Sequence, residues 1–189
     1  MDGIRVEQIL STESCEELIQ AELDITARKA ETIKYGRDED GNSVKVIEAD
    51  LKERDCDRTM LHHSWFPEVI KELEDAMGDG SKVSQFDLLR YGVGGFFLKH
   101  EDESRRTPHD QLQRKLYERK WSVITLLDKS DDLIGGDLII YKDWDDEEGT
   151  LIEIDKYQSV IFPSKDVPHE ITEVTRGSRL SLVSWLKMP

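Results

Sequence analysis

A chain of 189 residues, 37% hydrophobic and 35% charged, can bury one substantial core, and its 5 Pro and 12 Gly do not signal disorder. The formal net charge of −15, with no basic stripe, argues against nucleic acid as a partner; it favours a neutral or basic substrate except where local basic residues intervene. No apolar run approaches the ~20 residues that span a bilayer, the opening MDGIRVEQIL lacks a signal-peptide core, and Cys15 and Cys56 read as free thiols, so the expected setting is cytoplasmic with no membrane partner.

In chain order, residues 11–24 predict a helix, with Ser14 and Glu17 spaced as a capping box and Leu18, Ile19 and Leu23 on a narrow apolar face. Residues 32–35 and 44–47 alternate like two strands, and Asp40-Gly41 between them is a hairpin signal. Residues 65–77 predict a second helix: Pro67 suits its first turn, Val69, Ile70, Leu73 and Met77 share a face, and Gly78-Asp79-Gly80 ends it. The adjacent His62 and His63 cannot both point at one metal from a regular element and are expected to cap the approach to this helix. Strands are predicted over 83–91, 96–100, 121–127, 136–141, 151–154, 159–163, 170–174 and 178–186. Residues 103–120 interrupt them and read as a lid containing His109, while 143–148 read as a solvated acidic hairpin tip. Helices first and strands after predict an α+β fold: a closed or sandwiched β architecture with the helices packed on its outside. With no repeat or linker, residues 1–189 are expected to form a single domain, about 1–82 as support and about 83–189 as the catalytic part.

The stretch from Leu88 to Asp102, LLRYGVGGFFLKHED, reads as strand, glycine-rich turn, strand and then His100-Glu101-Asp102. A strand rather than a helix follows Gly92–Gly95, so this is not a phosphate loop. His100 and Asp102, two apart in an extended chain, point to one face and can share a metal ion, whereas Glu101 points away. His169, approached through Pro168, is the candidate third ligand. Two imidazoles and one carboxylate leave three positions open and suit non-haem Fe(II). In the last strand Arg179, Ser181, Val183 and Trp185 share one face and Leu180, Leu182 and Leu186 the other. The leucines are expected against the helices and Arg179 and Ser181 in the barrel interior. An inward arginine needs a partner, and a guanidinium fork near a metal fits a dicarboxylate held at one end by Arg179 and at the other by iron.

With these pieces in this order, the chain from about Tyr91 to Trp185 resembles the iron(II)- and 2-oxoglutarate-dependent dioxygenases, and within them the prolyl 4-hydroxylase-like branch. The matching residues are Tyr91–Phe97 leading to His100-Glu101-Asp102, Gly135–Leu138, Phe162-Pro163, Pro168–Ile171, Gly177–Ser181 and Trp185; the helix around Ser14–Ile19 resembles the opening of such domains. The resemblance implies a double-stranded β-helix, that is, a jelly-roll barrel. It carries over His100, Asp102 and His169 as iron ligands and Arg179 as the anchor of the distal 2-oxoglutarate carboxylate. Tyr91, Ser181 and Thr125 become further contacts to this co-substrate. It also implies O2 consumption, support by ascorbate, and hydroxylation of an unactivated C–H with release of succinate and CO2. The retained Asp102 argues against a halogenase. The implied substrate is a peptidyl side chain, proline first; the alternatives are a free amino acid or other small metabolite and, in another class, a non-catalytic barrel that binds a partner. Phe97 and Trp185 are expected mainly as core residues.

Overall fold

The computed structural model describes residues 3–25, 51–102 and 119–188, together with the backbone of strands at 28–29, 32–37 and 43–48. Strands numbered in chain order build two antiparallel sheets and a hairpin. The larger sheet runs, in space, β1 (Arg5–Glu7), β12 (Ser159–Pro163), β9 (Arg119–Lys129), β14 (Arg179–Lys187), β7 (Lys82–Tyr91), β6 (Asp57–Met60) and β2 (Arg28–Lys29). The smaller runs β11 (Thr150–Ile152), β10 (Leu138–Ile140), β13 (His169–Ile171), β8 (Phe96–His100) and β5 (Arg54–Asp55). From β7 onward the chain passes back and forth between the sheets, which is the winding of a double-stranded β-helix. The predicted hairpin is present as β3 (Thr32–Arg37) paired with β4 (Ser43–Glu48); its turn at Asp40-Gly41 lies outside the described residues.

Period-two alternation makes the larger sheet two-faced. Leu180, Leu182 and Leu186 of β14 join Phe86, Leu88, Val123 and Ile161 in a core shared with Cys15 and Leu18 of α1 (Thr12–Asp24) and Val69 and Leu73 of α2 (Pro67–Met77). On the opposite face Val183 and Trp185 join Leu89, Ile124 and Phe162 against Leu138, Ile140 and Ile171 of the smaller sheet. The helices therefore cover one face of the larger sheet, as expected, and the smaller sheet covers the other.

Helix ends differ in detail from the prediction. The N-cap of α1 is Ser11, whose hydroxyl accepts from the Ser14 N–H at 3.2 Å, and Ser14 lies buried in the first turn. The predicted Ser14–Glu17 box fails because the carboxylate that completes it comes from the other helix: the Ser11 N–H donates to Glu72 at 3.1 Å. Leu23 is 69% exposed, so the buried stripe of α1 ends earlier than predicted. In α2, Pro67 is in the first turn and Gly78 closes the helix at φ 64°, a left-handed conformation. A 3-10 turn at His63–Trp65 precedes it, capped by His62 Nδ1 accepting from the Ser64 N–H at 3.2 Å. Sequence reading misses β1, β2, β5 and β6, which are at most four residues long. β10 is also shorter than predicted because Gly135 and Gly136 have φ of 79° and 70° and turn the chain before it. Among the described residues no helix is long and apolar enough to cross a membrane.

Candidate metal centre

Pairing of β13 with β8 sets His169 directly opposite His100. Their ring centroids lie 4.2 Å apart. Asp102 follows one bend beyond the end of β8, with Oδ1 3.9 Å from His100 Nε2 and Oδ2 3.7 Å from His169 Nε2. The candidate ligand atoms all lie within 4.8 Å of one another. Backbone carbonyls fix both imidazoles. His100 Nδ1 donates to the Leu98 carbonyl at 2.8 Å and His169 Nδ1 to the Val167 carbonyl at 3.0 Å. Each Nε2 therefore presents its lone pair to the shared space, the tautomer a metal requires. Burial, reinforced by the neighbouring His169, pushes the His100 imidazole well below its ordinary range and keeps it neutral.

The Asp102 carboxylate is steered as firmly. The Ser122 hydroxyl donates to Oδ2 at 2.6 Å and contacts the Ser164 hydroxyl at 2.8 Å. Since the single Ser122 proton goes to the carboxylate, Ser164 is the donor in the second bond. Arg119 donates to the Asp102 backbone carbonyl at 3.2 Å and lies over the Trp185 ring at 4.1 Å. Burial favours the neutral acid, but His169, His100, Arg119 and Ser122 together hold Asp102 below the usual carboxylate range, so it stays ionised. The donor set of two imidazoles and one carboxylate fits Fe(II).

Arg179 is 3% exposed. Its Nη2 donates to Ser181 Oγ at 3.0 Å and its Nη1 to the Gly136 carbonyl, while its Nε has no partner. Gly136 makes room for it: a Cβ there would meet Arg179 Cδ at 3.2 Å. Burial draws this guanidinium below the usual arginine range, against the opposing fields of Tyr91 and Asp137. Tyr91 and Ser181 line the cavity that holds the three candidate ligands. Thr125 does not. Its neighbour Ile124 takes the cavity face, and the Thr125 hydroxyl pairs with Ser159 at 2.7 Å on the helix side of the sheet. The predicted contact fails by one residue of strand register. Phe97 and Trp185 serve both as core and as cavity wall.

Glu101 turns away, as predicted, and accepts from Trp144 Nε1 at 2.6 Å. Lys99 donates to the carbonyls of Trp144 and Asp146 at 3.0 and 2.7 Å, so the mostly exposed acidic loop is fastened to the strand that carries His100. Most of the predicted lid and His109 lie outside the described residues. Sequence reasoning missed Arg54 altogether. β5 pairs it opposite Phe97, its guanidinium lies 4.4 Å from the Phe97 ring centroid, and it lines the same cavity. In the run KERDCDR it looks like one more surface charge, and no sequence signal separates it from its neighbours.

The family model of the 2OG-Fe(II) oxygenase superfamily matches residues 86–187. The chain belongs to this superfamily. Its members are oxygenases that use iron(II), 2-oxoglutarate and O2, in keeping with the donor set and the buried guanidinium. A PKHD-type hydroxylase of Caulobacter sp. (strain K31) is 31% identical over 99 residues, which are 52% of this chain and 40% of that protein; the chain thus spans well under half of this relative. Solved structures share the fold. A Pseudomonas putida prolyl-4-hydroxylase matches with TM-score 0.60 and 16% identity, over 99% of this chain and 93% of that one. The viral collagen prolyl hydroxylase of Paramecium Bursaria Chlorella virus-1, solved with 2OG, gives 0.64 and 17% over 100% and 97%. A Trichoplax adhaerens prolyl hydroxylase, solved with a hypoxia inducible factor peptide fragment, gives 0.60 and 17% over 98% and 84%.

Proposed function

We propose that this protein hydroxylates an unactivated C–H bond while 2-oxoglutarate is decarboxylated to succinate and CO2. One observation carries the reading: His100, Asp102 and His169 converge on one point in a barrel whose interior also buries Arg179 with an unsatisfied Nε. In this reading the two Nε2 atoms and the Asp102 carboxylate hold iron(II), and Arg179 with Ser181 takes the distal carboxylate of 2-oxoglutarate by charge-assisted hydrogen bonds. Burial raises the Tyr91 phenol, which stays protonated and able to donate beside the co-substrate. Iron with O2 supplies the oxidant, and ascorbate sustains it. The walls of Leu89, Ile124, Ile171 and Val183 keep the space apolar and narrow, which holds the reacting carbon close and water out. Residues 1–189 then act as one unit, the helices bracing the sheet that carries Arg179. The free, buried Cys15 and Cys56 fit a reducing, cytoplasmic setting.

Peptidyl proline is the first substrate to test, supported by the likeness to prolyl hydroxylases. A free amino acid or small metabolite is the second, and the buried Arg54 favours it. The decisive experiment supplies Fe(II), ascorbate, O2 and 2-oxoglutarate and measures succinate. Wild type should release succinate slowly even without substrate, and His169→Ala should fall to background. Wild type indistinguishable from His169→Ala across a panel of prolyl peptides and amino acids would overturn the reading and leave a non-catalytic binding barrel.

A further inference from the structure

The arginines of the larger sheet show what a partly buried guanidinium in this protein ordinarily does. Arg58 bonds Asp87 at 2.8 Å, and Arg90 bonds Glu22 at 2.7 Å. Arg54 is more deeply buried than either, at 8% exposure, yet among the described residues no carboxylate bonds it. Its Nε donates to Cys56 Sγ at 3.2 Å, and a thiol is a weak acceptor. The Phe97 ring beneath the guanidinium supplies a modest cation–π attraction of about 1 kcal/mol. Neither matches the desolvation of a guanidinium, and a chain with 41 Asp and Glu has no shortage of possible partners.

The position of Arg54 is as specific as its lack of an anion. One face of Phe97 carries the guanidinium at 4.4 Å, and Phe97 stacks on the His100 imidazole with centroids 3.4 Å apart. Pairing of Arg54 with Phe97 in the smaller sheet holds this stack in register. Burial works against the charge of Arg54, and Tyr91, Cys56 and, least, Asp102 work for it; Asp102 is already committed to the candidate metal centre and to Ser122. Arg179 belongs to the larger sheet. The barrel thus buries two cations, one from each sheet: Arg54 lines the cavity of the metal centre, while Arg179 lines the neighbouring cleft and meets that cavity through its bond to Ser181; a single co-substrate presents only one distal carboxylate.

We infer that Arg54 is a second anion subsite, one that seats the carboxylate of a free small-molecule acid, the simplest being a free α-amino acid, beside the metal centre. This rests on the oxygenase reading above and names the substrate class for it. A prolyl residue inside a peptide has an amide where the free amino acid has a carboxylate, so it would leave Arg54 without an anion. The net charge of −15 repels acids at long range, and a local cation in an apolar pocket is what would admit one.

The test is a cycle of protein variant against ligand variant, read by calorimetry under anaerobic conditions on protein loaded with Mn(II) and saturated with 2-oxoglutarate, where nothing turns over. The probes are the free proteinogenic L-amino acids, the amide of each, and a prolyl peptide. At least one acid should bind about tenfold or more tighter than its amide, the size of a charge-assisted hydrogen bond. Arg54→Gln should abolish that preference, Arg54→Lys should keep part of it, and 2-oxoglutarate affinity should stay within about twofold in both. Three results would overturn the inference: an amide or the prolyl peptide binding as well as every acid, no acid binding below about 10 mM, or Arg54→Gln weakening acid and amide alike. Should Arg54→Gln not fold, the acid-to-amide ratio in wild type and in Arg54→Lys still decides. Failure of the oxygenase reading is separate and would appear as absent succinate from wild type in the assay above.

Discussion

The two faces of the larger sheet are made by the same strands and behave oppositely. On the helix face β14 presents Leu180, Leu182 and Leu186, all fully buried and packed against α1 and α2. There the polar pair Thr125–Ser159 is satisfied internally at 2.7 Å. On the inner face the alternate residues are Arg179, Ser181, Val183 and Trp185, the last three lining the metal cavity and Arg179 the cleft beside it, and both Arg179 Nε and Trp185 Nε1 lack partners. One face is closed, packed with apolar side chains, and Ser184 Oγ is its one unpartnered buried polar atom among the described residues. The other is held open, with donors unspent. A strand that alternates this way lets packing energy from one side hold costly, unsatisfied groups in place on the other.

That contrast can be broken by substituting neighbours on β14. Leu182→Ala should lower unfolding stability by about 2–5 kcal/mol, the range for a buried leucine that leaves a cavity. It should leave metal and 2-oxoglutarate affinity nearly unchanged once the protein is folded, as denaturant titration and calorimetry would show. Arg179→Ala should do the reverse. We expect 2-oxoglutarate affinity to fall about 100-fold with Mn(II) affinity within about twofold, and stability held or raised because a desolvated guanidinium is removed. Equal losses of metal and co-substrate would remove the role given to Arg179. A Leu182→Ala protein that stays stable but loses co-substrate would collapse the distinction between the faces.

A smaller effect probes how far the cavity face is organised behind its ligands. Ser122→Ala removes the proton donated to Asp102 Oδ2 and strands the Ser164 hydroxyl. Metal affinity should fall about tenfold, as for other outer-shell partners. Ser122→Thr, which keeps the hydroxyl, should restore most of it. Unchanged Mn(II) affinity in the alanine variant would mean that Arg119 and the backbone alone orient the carboxylate.

Much of this was legible before any coordinates, and the boundary is physical. Alternation along β14 and the spacing of His100 and Asp102 are local, and local periodicity survives folding. His169 was legible because Pro168 restricts its neighbour to extended backbone and a strand follows. Arg54 was not, because its meaning comes from pairing with Phe97 more than 40 positions away. The same holds for Ser122, whose partner Asp102 lies across a stretch of chain with no readable register. Thr125 was misread because its face depends on a phase that sequence leaves open by one residue, and the Ser14 cap because Glu72 of another helix completes the real one.

The smallest expected effect lies where the helix face is fastened at its rim. Beyond α2, Asp79 accepts from the Ser81 N–H at 2.9 Å and from Lys120 and Trp121 of β9, each at 2.9 Å. These hydrogen bonds, from Ser81 first and then Lys120 and Trp121, hold its carboxyl well below the ordinary carboxylate range. The folded form therefore prefers the ionised acid more than the unfolded chain does. The resulting stability is present at neutral pH, begins to fade as pH drops through the ordinary carboxylate value, and is gone once the folded carboxylate is also protonated. Because the pair is at the surface and screened, Asp79→Asn should cost only about 0.5 kcal/mol at pH 7 in low salt, with the gap from wild type narrowing in acid and at high salt. Metal and co-substrate affinity should not move, since Asp79 anchors only the closed face. A gap that widened in acid would reverse the sign of the argument, and one that came with lost co-substrate binding would mean that the two faces are not independent.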